Sequence, residues 1–459
     1  MVKQLAIRED FSRRFSRINA DQISVNPRES AAEILREDKL LACIHCGLCL
    51  EACPTYVITG NENDGPRGRL YLMRAVAEGK LEETSGAFGT HIDRCLGCRA
   101  CEQACPAGVE YGQLLESSRA VLLESQPKQD FTNRLLRVVL RSVWLSPRRL
   151  RWFFGASRLF RDLGLVRLLL KLRLARLISP RAEFGLALLE SSRPVFSHRP
   201  IETSNPTGES VLLFAGCVGE GLFARVNRAT ERVLRANNLN VSTPAEQVCC
   251  GALHAHAGDL EGARQLARKN IEAFDSNAPI ITNAGGCGAM LTTYGHLFAN
   301  DNDFAERAAG FSARVRDVSQ QLAATGMRSA PSATQDSVTY DTSCHLLYGQ
   351  HSGETSERML RTVIGDKFVA LDGSERCCGA AGIYNLMQPD MSQRVLQEKL
   401  DHVRETHASV LATGNPGCQM HIGARACLSG MNLSVCHPIE LVDQAYEQAG
   451  YYNDSRNGK

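Results

Sequence analysis

Residues 43–54 read Cys43-Ile-His-Cys46-Gly-Leu-Cys49-Leu-Glu-Ala-Cys53-Pro54, and residues 95–106 repeat the pattern as Cys95-Leu-Gly-Cys98-Arg-Ala-Cys101-Glu-Gln-Ala-Cys105-Pro106. In each run two residues separate the first three cysteines, and three precede the fourth, which abuts proline. Tetrahedral zinc favours separated Cys-x2-Cys pairs and has no use for a third cysteine at the same step. Three thiolates at that spacing instead wrap one corner of an iron-sulfur cubane, while a fourth, carried away by the turn before proline, reaches a second one. Small residues at Gly47, Gly97 and Ala100 leave room for backbone N–H groups to approach cluster sulfurs, a contact that tunes reduction potential.

Both runs match the Cys-x2-Cys-x2-Cys-x3-Cys-Pro signature of bacterial two-cluster ferredoxins. On that logic Cys43, Cys46, Cys49 and Cys105 hold one [4Fe-4S] cluster, and Cys53, Cys95, Cys98 and Cys101 hold the other. Clusters bridged by reciprocal cysteines sit close together, an arrangement suited to passing electrons singly. Between the runs, the stretch Arg67–Lys80 sets Leu70, Met73, Val76 and Ala77 at helical steps ahead of Gly79, which predicts a helix.

Further on, Ser210-Val-Leu-Leu-Phe-Ala-Gly216 reads as a short buried strand entering a glycine turn, and Arg225–Asn237 as a helix, the opening of an α/β unit. The cysteines beyond it recur. Cys217, Cys249-Cys250-Gly251 and Cys287 return as Cys344, Cys377-Cys378-Gly379 and Cys418, at offsets of 127, 128 and 131 residues. The flanks correspond too, Asn-Ala-Gly-Gly-Cys287 with Asn-Pro-Gly-Cys418, so duplication accounts for the pattern. Glycine after each cysteine pair permits a tight turn that points both sulfurs at one site. Each repeat thereby offers four thiolates, a set that suits a cluster or zinc, or that stays free.

With two cluster motifs ahead of two Cys-Cys-Gly repeats, and Gly65-Pro-Arg-Gly-Arg-Leu between the motifs, the chain resembles the heterodisulfide reductase-type Cys-Cys-Gly proteins. Among them it is most similar to the iron-sulfur subunits of glycolate oxidase, over nearly its whole length. The expected fold is multidomain, an all-α ferredoxin-like N-terminal domain (1–125) and a basic amphipathic helical linker (126–205) followed by a duplicated α/β Cys-Cys-Gly region (206–330 and 331–459). The resemblance implies that FAD-containing 2-hydroxy acid oxidase subunits oxidise glycolate to glyoxylate and pass the electrons to this subunit. It would hand them on to quinone or another membrane acceptor. No residue of this chain is expected to be catalytic. Ala284-Gly-Gly-Cys287-Gly is not a dinucleotide loop, so no flavin is expected here. One position departs from heterodisulfide reductases in each repeat. Ala284 and Asn415 stand where those proteins start a Cys-x-x-Cys, which puts their disulfide-cleaving cluster in doubt. The same parts fit the iron-sulfur component of a lactate oxidation or anaerobic glycerol-3-phosphate dehydrogenase system, a stand-alone electron carrier, or a membrane adapter.

The 459 residues are 44% hydrophobic with a formal net charge of +2, a balance that supports several cores and does not read as a nucleic-acid binder. Basic charge is nonetheless concentrated. Residues 131–181 hold twelve arginines and Lys171 against Asp162 alone, interleaved with Trp144, Trp152, Phe153, Phe154 and Phe160. Two readings fit this amphipathic pattern: a face for anionic lipid, or a linker packed on neighbouring domains or a partner subunit. Leu163–Leu177 is cut by Arg167, Lys171, Arg173 and Arg176, so no membrane span is expected. Met1–Asn26 lacks the apolar core of a signal peptide. The expected location is cytoplasmic, with or without peripheral attachment to the inner face of the cytoplasmic membrane. There, eighteen cysteines point to metal or redox chemistry in place of disulfides. Cys427 and Cys436, outside the repeat pattern, read as buried small apolar residues. His254, His256, His345, His421 and His437 read as supports or surface groups, not ligands.

Overall fold

Cys53 closes the first cysteine loop, and Pro54 directly behind it starts helix α1 (Pro54–Thr59), where a missing backbone N–H costs nothing. A computed structural model describes residue 35 and residues 37–125, 131–196, 206–332 and 334–452; the reading of Met1–Asn26 lies outside the described residues. Helix α2 (Pro66–Ala77) also opens on proline and occupies the stretch expected to be helical, with Leu70, Met73 and Val76 buried. It shares a core with α3 (Tyr111–Ser125), built from Phe88, Ile92, Leu114, Leu115 and Val121. The regular structure described between residues 35 and 125 is helical throughout.

The arginine-rich segment forms α4 (Phe131–Val139), α5 (Pro147–Asp162), α6 (Leu165–Lys171), α7 (Leu174–Ile178) and α8 (Pro180–Glu190). Leu150 and Phe154 of α5 are buried in the core of the first repeat. Phe154 lies so close to Gly221 that a Cβ there would sit 2.5 Å from its ring. At the other end Ser191, just past α8, donates from its hydroxyl to the Met420 carbonyl at 2.9 Å, in the second repeat. The inner faces of these helices pack on both repeats, while large apolar residues remain on the outer ones. Among the described residues no helix is long and apolar enough to cross a membrane.

The first repeat threads β1 (Ser210–Leu213), α9 (Cys217–Leu222), α10 (Ala224–Ala236), β2 (Asn240–Ser242), β3 (Ile280–Thr282), α11 (Gly285–Leu291) and β4 (Val315–Asp317). Its strands are all parallel in the order β2-β1-β3-β4. The second repeat has β5 (Val338–Asp341), β6 (Phe368–Val369), α12 (Pro389–Glu405), β7 (Val410–Thr413), α13 (Pro416–Ser429), β8 (Ser434–Cys436) and α14 (Pro438–Gln448). Its order, β6-β5-β7-β8, is the same, again parallel. Every residue of β3, β5 and β7 is buried, as befits strands covered by helices on both faces. One core joins the repeats, with Val226 and Val233 of α10 among Ile439, Val442 and Tyr446 of α14. Arg232 grips Asp443 across that seam with bonds of 2.9 and 2.5 Å, and Arg225 reaches Glu440 at 2.8 Å.

Candidate iron-sulfur centre and cysteine quartets

Both N-terminal cysteine loops use one backbone device. The second and fourth residues after the leading cysteine take positive φ, 57° at His45 and 85° at Gly47 in the first loop, 64° at Gly97 and 66° at Arg99 in the second. Gly47 and Gly97 therefore occupy different halves of a paired left-handed turn, and His45 and Arg99 carry its strain. The Gly97 N–H donates to Cys95 Sγ at 3.4 Å, the kind of contact expected of the small residues.

One pocket is lined by Cys43, Cys46, Cys49 and Cys105, with Arg67 and Leu70 in its wall. A second is lined by Cys53, Cys95, Cys98 and Cys101, with Arg69 and Tyr111. The fourth cysteine of each run has crossed to the pocket of the other, and Cys101 touches both. Burial pushes the thiols of Cys49, Cys98 and Cys101 up, so four thiolates in such a pocket require a cationic group among them. Among the described residues no three or more His, Cys, Asp or Glu side chains are placed to hold a metal ion. Thiols ringing a pocket, not converging on a point, fit the corners of an iron-sulfur cubane.

Two functional residues escaped the sequence reading, Arg67 and Arg69 of α2. Arg67 donates to the His45 carbonyl at 3.2 Å and to Glu62 at 2.6 Å. Arg69 is fully buried, donating to the His91 carbonyl at 2.7 Å and Thr55 Oγ1 at 3.0 Å, with Nη1 3.9 Å from Cys53 Sγ. Burial works against its charge, but Cys95, Tyr111 and Cys53 outweigh it and hold the guanidinium protonated. Between the two, Gly68 admits no side chain, since a Cβ would fall 2.2 Å from the Glu62 carbonyl. The signal lay in Gly65-Pro-Arg-Gly-Arg-Leu, but only the fold shows each arginine facing a different pocket.

In the repeats, Cys217 opens α9 after β1, Cys249 and Cys250 follow β2, and Cys287 lies in α11 after β3. Cys344, Cys377, Cys378 and Cys418 take the matching places after β5, β6 and β7. All eight thus sit at the carboxyl ends of parallel strands, around the point where strand order reverses, which is where open α/β sheets bind ligands. Gly251 and Gly379 adopt φ of 89° and 84°, the turn expected behind each pair. Cys217 and Cys249 lie 3.4 Å apart, and contacts from Cys249 to Cys250 and from Cys250 to Cys287 complete the first quartet. Cys344 and Cys377 are 3.9 Å apart, with Cys378 linking Cys377 to Cys418. Cys377 alone is held low, by the Cys344 and Cys378 thiols and the Gly379 N–H.

The histidines act as supports. His254 pairs with Asp259 at 2.9 Å, His345 Nε2 bonds the Gly97 carbonyl at 3.2 Å, and His437 Nε2 bonds that of Asn283 at 2.8 Å. His256 lies with its ring 5.7 Å from His345, and His421 is held by Asn385 and Ser392. Cys436 is buried, but Cys427 is exposed, contrary to the expectation, because it opens into the cleft between α13 and the arginine-rich helices.

These features define an iron-sulfur protein with a dicluster domain and a duplicated cysteine-rich domain. The family model for a 4Fe-4S dicluster domain matches residues 39–109, and that for a cysteine-rich domain matches residues 211–292 and 338–423. A probable glycolate oxidase iron-sulfur subunit of Bacillus subtilis is 36% identical over 91% of this chain and 96% of its own length. The glycolate oxidase iron-sulfur subunit of Escherichia coli is 32% identical, over 93% and 99%. Lactate utilization protein A of Oceanobacillus iheyensis is 32% identical over 51% of this chain and 96% of its own. The chain belongs to the family of glycolate oxidase iron-sulfur subunits.

Proposed function

We propose that this chain is the electron-transfer subunit of a glycolate oxidase complex, with Cys43, Cys46, Cys49 and Cys105 holding one [4Fe-4S] cluster and Cys53, Cys95, Cys98 and Cys101 a second. The observation that carries the reading is the exchange of Cys53 and Cys105 between the two pockets. Such clusters supply one-electron transfer when bound. The chain's own residues fix their places, exclude bulk water from Cys53 and Cys101, and set two arginines beside them. FAD-bearing partner subunits would oxidise glycolate to glyoxylate and release electrons to this subunit, which passes them to quinone. Each quartet in the repeats supplies four thiolates for a further cluster, whereas a zinc ion would need the sulfurs drawn together on one point. The exposed outer faces of α5 to α7 attach the subunit peripherally to the inner membrane surface, since basic groups and large apolar residues lie together there.

Co-purification with partners, followed by a 2-hydroxy acid screen with an artificial acceptor, tests the reading. Glycolate turnover by the complex and none by the flavin-free subunit is expected; turnover by the pure subunit overturns the division of labour. Anaerobic preparations should contain about eight irons from the N-terminal pockets, and more only if the quartets are loaded. Zinc without acid-labile sulfide would refute the cluster assignment. The lactate utilization relative gives lactate as the second substrate to screen.

A further inference from the structure

A cleft of about 1350 Å³ separates the arginine-rich helices from the second repeat. Resting on the quinone-acceptor reading above, we propose that this cleft is the site where the subunit reduces a lipid-borne quinone that arrives from the membrane. Three independent features of the chain meet there.

The first is the mouth. α6 and α7 form one wall of the cleft, and the same helices leave their outer leucines without cover. Leu177 and Ile178 are 83% and 82% exposed, and Trp152 on neighbouring α5 is 77% exposed. Isolated exposed leucines are ordinary, but a run of large apolar groups on consecutive helices is an interaction face. Its occupant is a membrane because of the charge around it. Of the cleft's seven cations, Arg167 and Arg193 pair with Glu190. Lys171, Arg173, Arg176, Arg181 and Arg425 have no acid partner among the described residues. Free cations beside inserted leucines complement anionic headgroups.

The second feature is the interior. Apolar Leu170, Phe184, Leu386, Leu396, Leu433 and Val435 line it, matching a quinone ring and the start of its tail, while the back wall is polar. There the Asn385 amide N–H donates to His421 Nδ1 at 3.2 Å. With Nδ1 accepting, His421 Nε2 donates to Ser392 Oγ at 3.2 Å, and the Ser392 hydroxyl donates to the Gly379 carbonyl at 2.8 Å. Asn385 and this chain are the polar groups that a quinone carbonyl meets.

The third feature is what lies behind the wall. Gly379 directly follows Cys377-Cys378, and His421 stands one helical turn past Cys418 on α13, a rise of about 4.5 Å. The headgroup position thus adjoins the second quartet. That quartet in turn touches the second cluster pocket, because Cys98 packs with Cys344 and Cys377 around Leu96 and Tyr384. The reaction balances as one quinone taking two electrons, delivered singly from the reduced clusters, and two protons from water at the open mouth, to give one hydroquinone.

The test uses the full chain with its clusters, a photoreactive azido-quinone of short tail, and anionic or neutral vesicles. Labelling should fall on peptides 385–396 and 421–435. Leu386→Trp, which narrows the cleft at a half-exposed position, should cut labelling and the rate at which the short quinone reoxidises dithionite-reduced clusters by about tenfold or more. Reoxidation by ferricyanide should be unchanged. Leu177→Glu with Ile178→Glu should abolish sedimentation with anionic vesicles and leave labelling by the soluble quinone intact. Labelling elsewhere, or a Leu386→Trp protein that is labelled and reoxidised like the wild type, overturns the cleft assignment and leaves the acceptor reading standing. If no quinone reoxidises the wild-type protein while ferricyanide does, the acceptor reading itself falls, and the cleft proposal with it.

Discussion

Replacing Arg69 with Met should lower the reduction potential of the second cluster and leave the first almost unmoved. A fixed cation stabilises the reduced state, which carries one more negative charge, so its removal makes reduction harder. Arg69 Nη1 lies 3.9 Å from Cys53 Sγ, so the charge of a cluster that Cys53 would hold is taken at about 7 Å from the guanidinium. At an effective dielectric of about 20, Coulomb's law gives about 2.4 kcal/mol for one added electron, equivalent to about 100 mV for a one-electron couple. Arg67 is half-exposed beside the other pocket, where solvent screening weakens it, so Arg67→Gln should produce a much smaller shift. Anaerobic redox titration followed by electron paramagnetic resonance resolves the two clusters, with Arg69→Lys as the charge-retaining comparison. Met at this position also leaves the His91 carbonyl and Thr55 hydroxyl without their donor, at a cost of about 1–3 kcal/mol, so thermal melting must first show a folded protein. A folded Arg69→Met protein whose second cluster moves by under about 20 mV refutes the electrostatic argument. A shift in the first cluster instead would refute the ligand assignment.

Three further outcomes follow from the packing. Cys98→Ala should remove the second cluster and weaken the first through their shared core around Leu70 and Tyr111, read as iron content and melting temperature. Lys399→Met strips the partner from buried Asp341, 2.8 Å away, and should destabilise the protein by about 3–5 kcal/mol in urea titrations; a change under about 1 kcal/mol would show the pair is dispensable. Burial pushes the Asp317 carboxyl up to about 6, so the folded state binds its proton more tightly than the unfolded chain does. Its contribution is complete below the ordinary carboxylate value and is lost as pH rises through about 6, a decline of about 3 kcal/mol, which Asp317→Asn should abolish.

Much of this architecture was legible because cysteine spacing is a local property. The loops at 43–54 and 95–106, the repeat at offsets near 128, and helix α2 all follow from residues close in sequence. β1 was readable for the same reason, as an apolar run between turn residues. Strand β5 is harder, since Val-Thr-Tyr-Asp buries Asp341 against Lys399 and Thr413, both supplied from far along the chain, and Thr339 against the Val369 carbonyl. Charge counting found the basic segment but not its division into short helices, which turns at Gly164 and Arg173 impose through φ of 78° and 53°. Arg69 looks like any surface arginine of an amphipathic helix until tertiary packing buries it, and Cys427 looks like a core thiol until α13 opens it into the cleft.

Duplication also conceals a difference that only the fold displays. The two quartets have the same cysteines after the same strands, yet their surroundings diverge. In the second repeat, His345 bonds the Gly97 carbonyl, Tyr384 bonds that of Arg94 at 2.8 Å, and Cys98 packs with Cys344 and Cys377. All three contacts land on the loop of the second cluster pocket. The first repeat meets the N-terminal region farther along, where Arg119 bonds the His256 carbonyl at 3.0 Å and Gly258 lies against the Arg119 backbone. Its quartet lies instead in an apolar core of its own with Phe214 and Met290. Identical cysteine sets thus acquire unequal surroundings from packing alone: the second repeat adjoins the pocket of Cys95, Cys98 and Cys101, and the first stands apart from it.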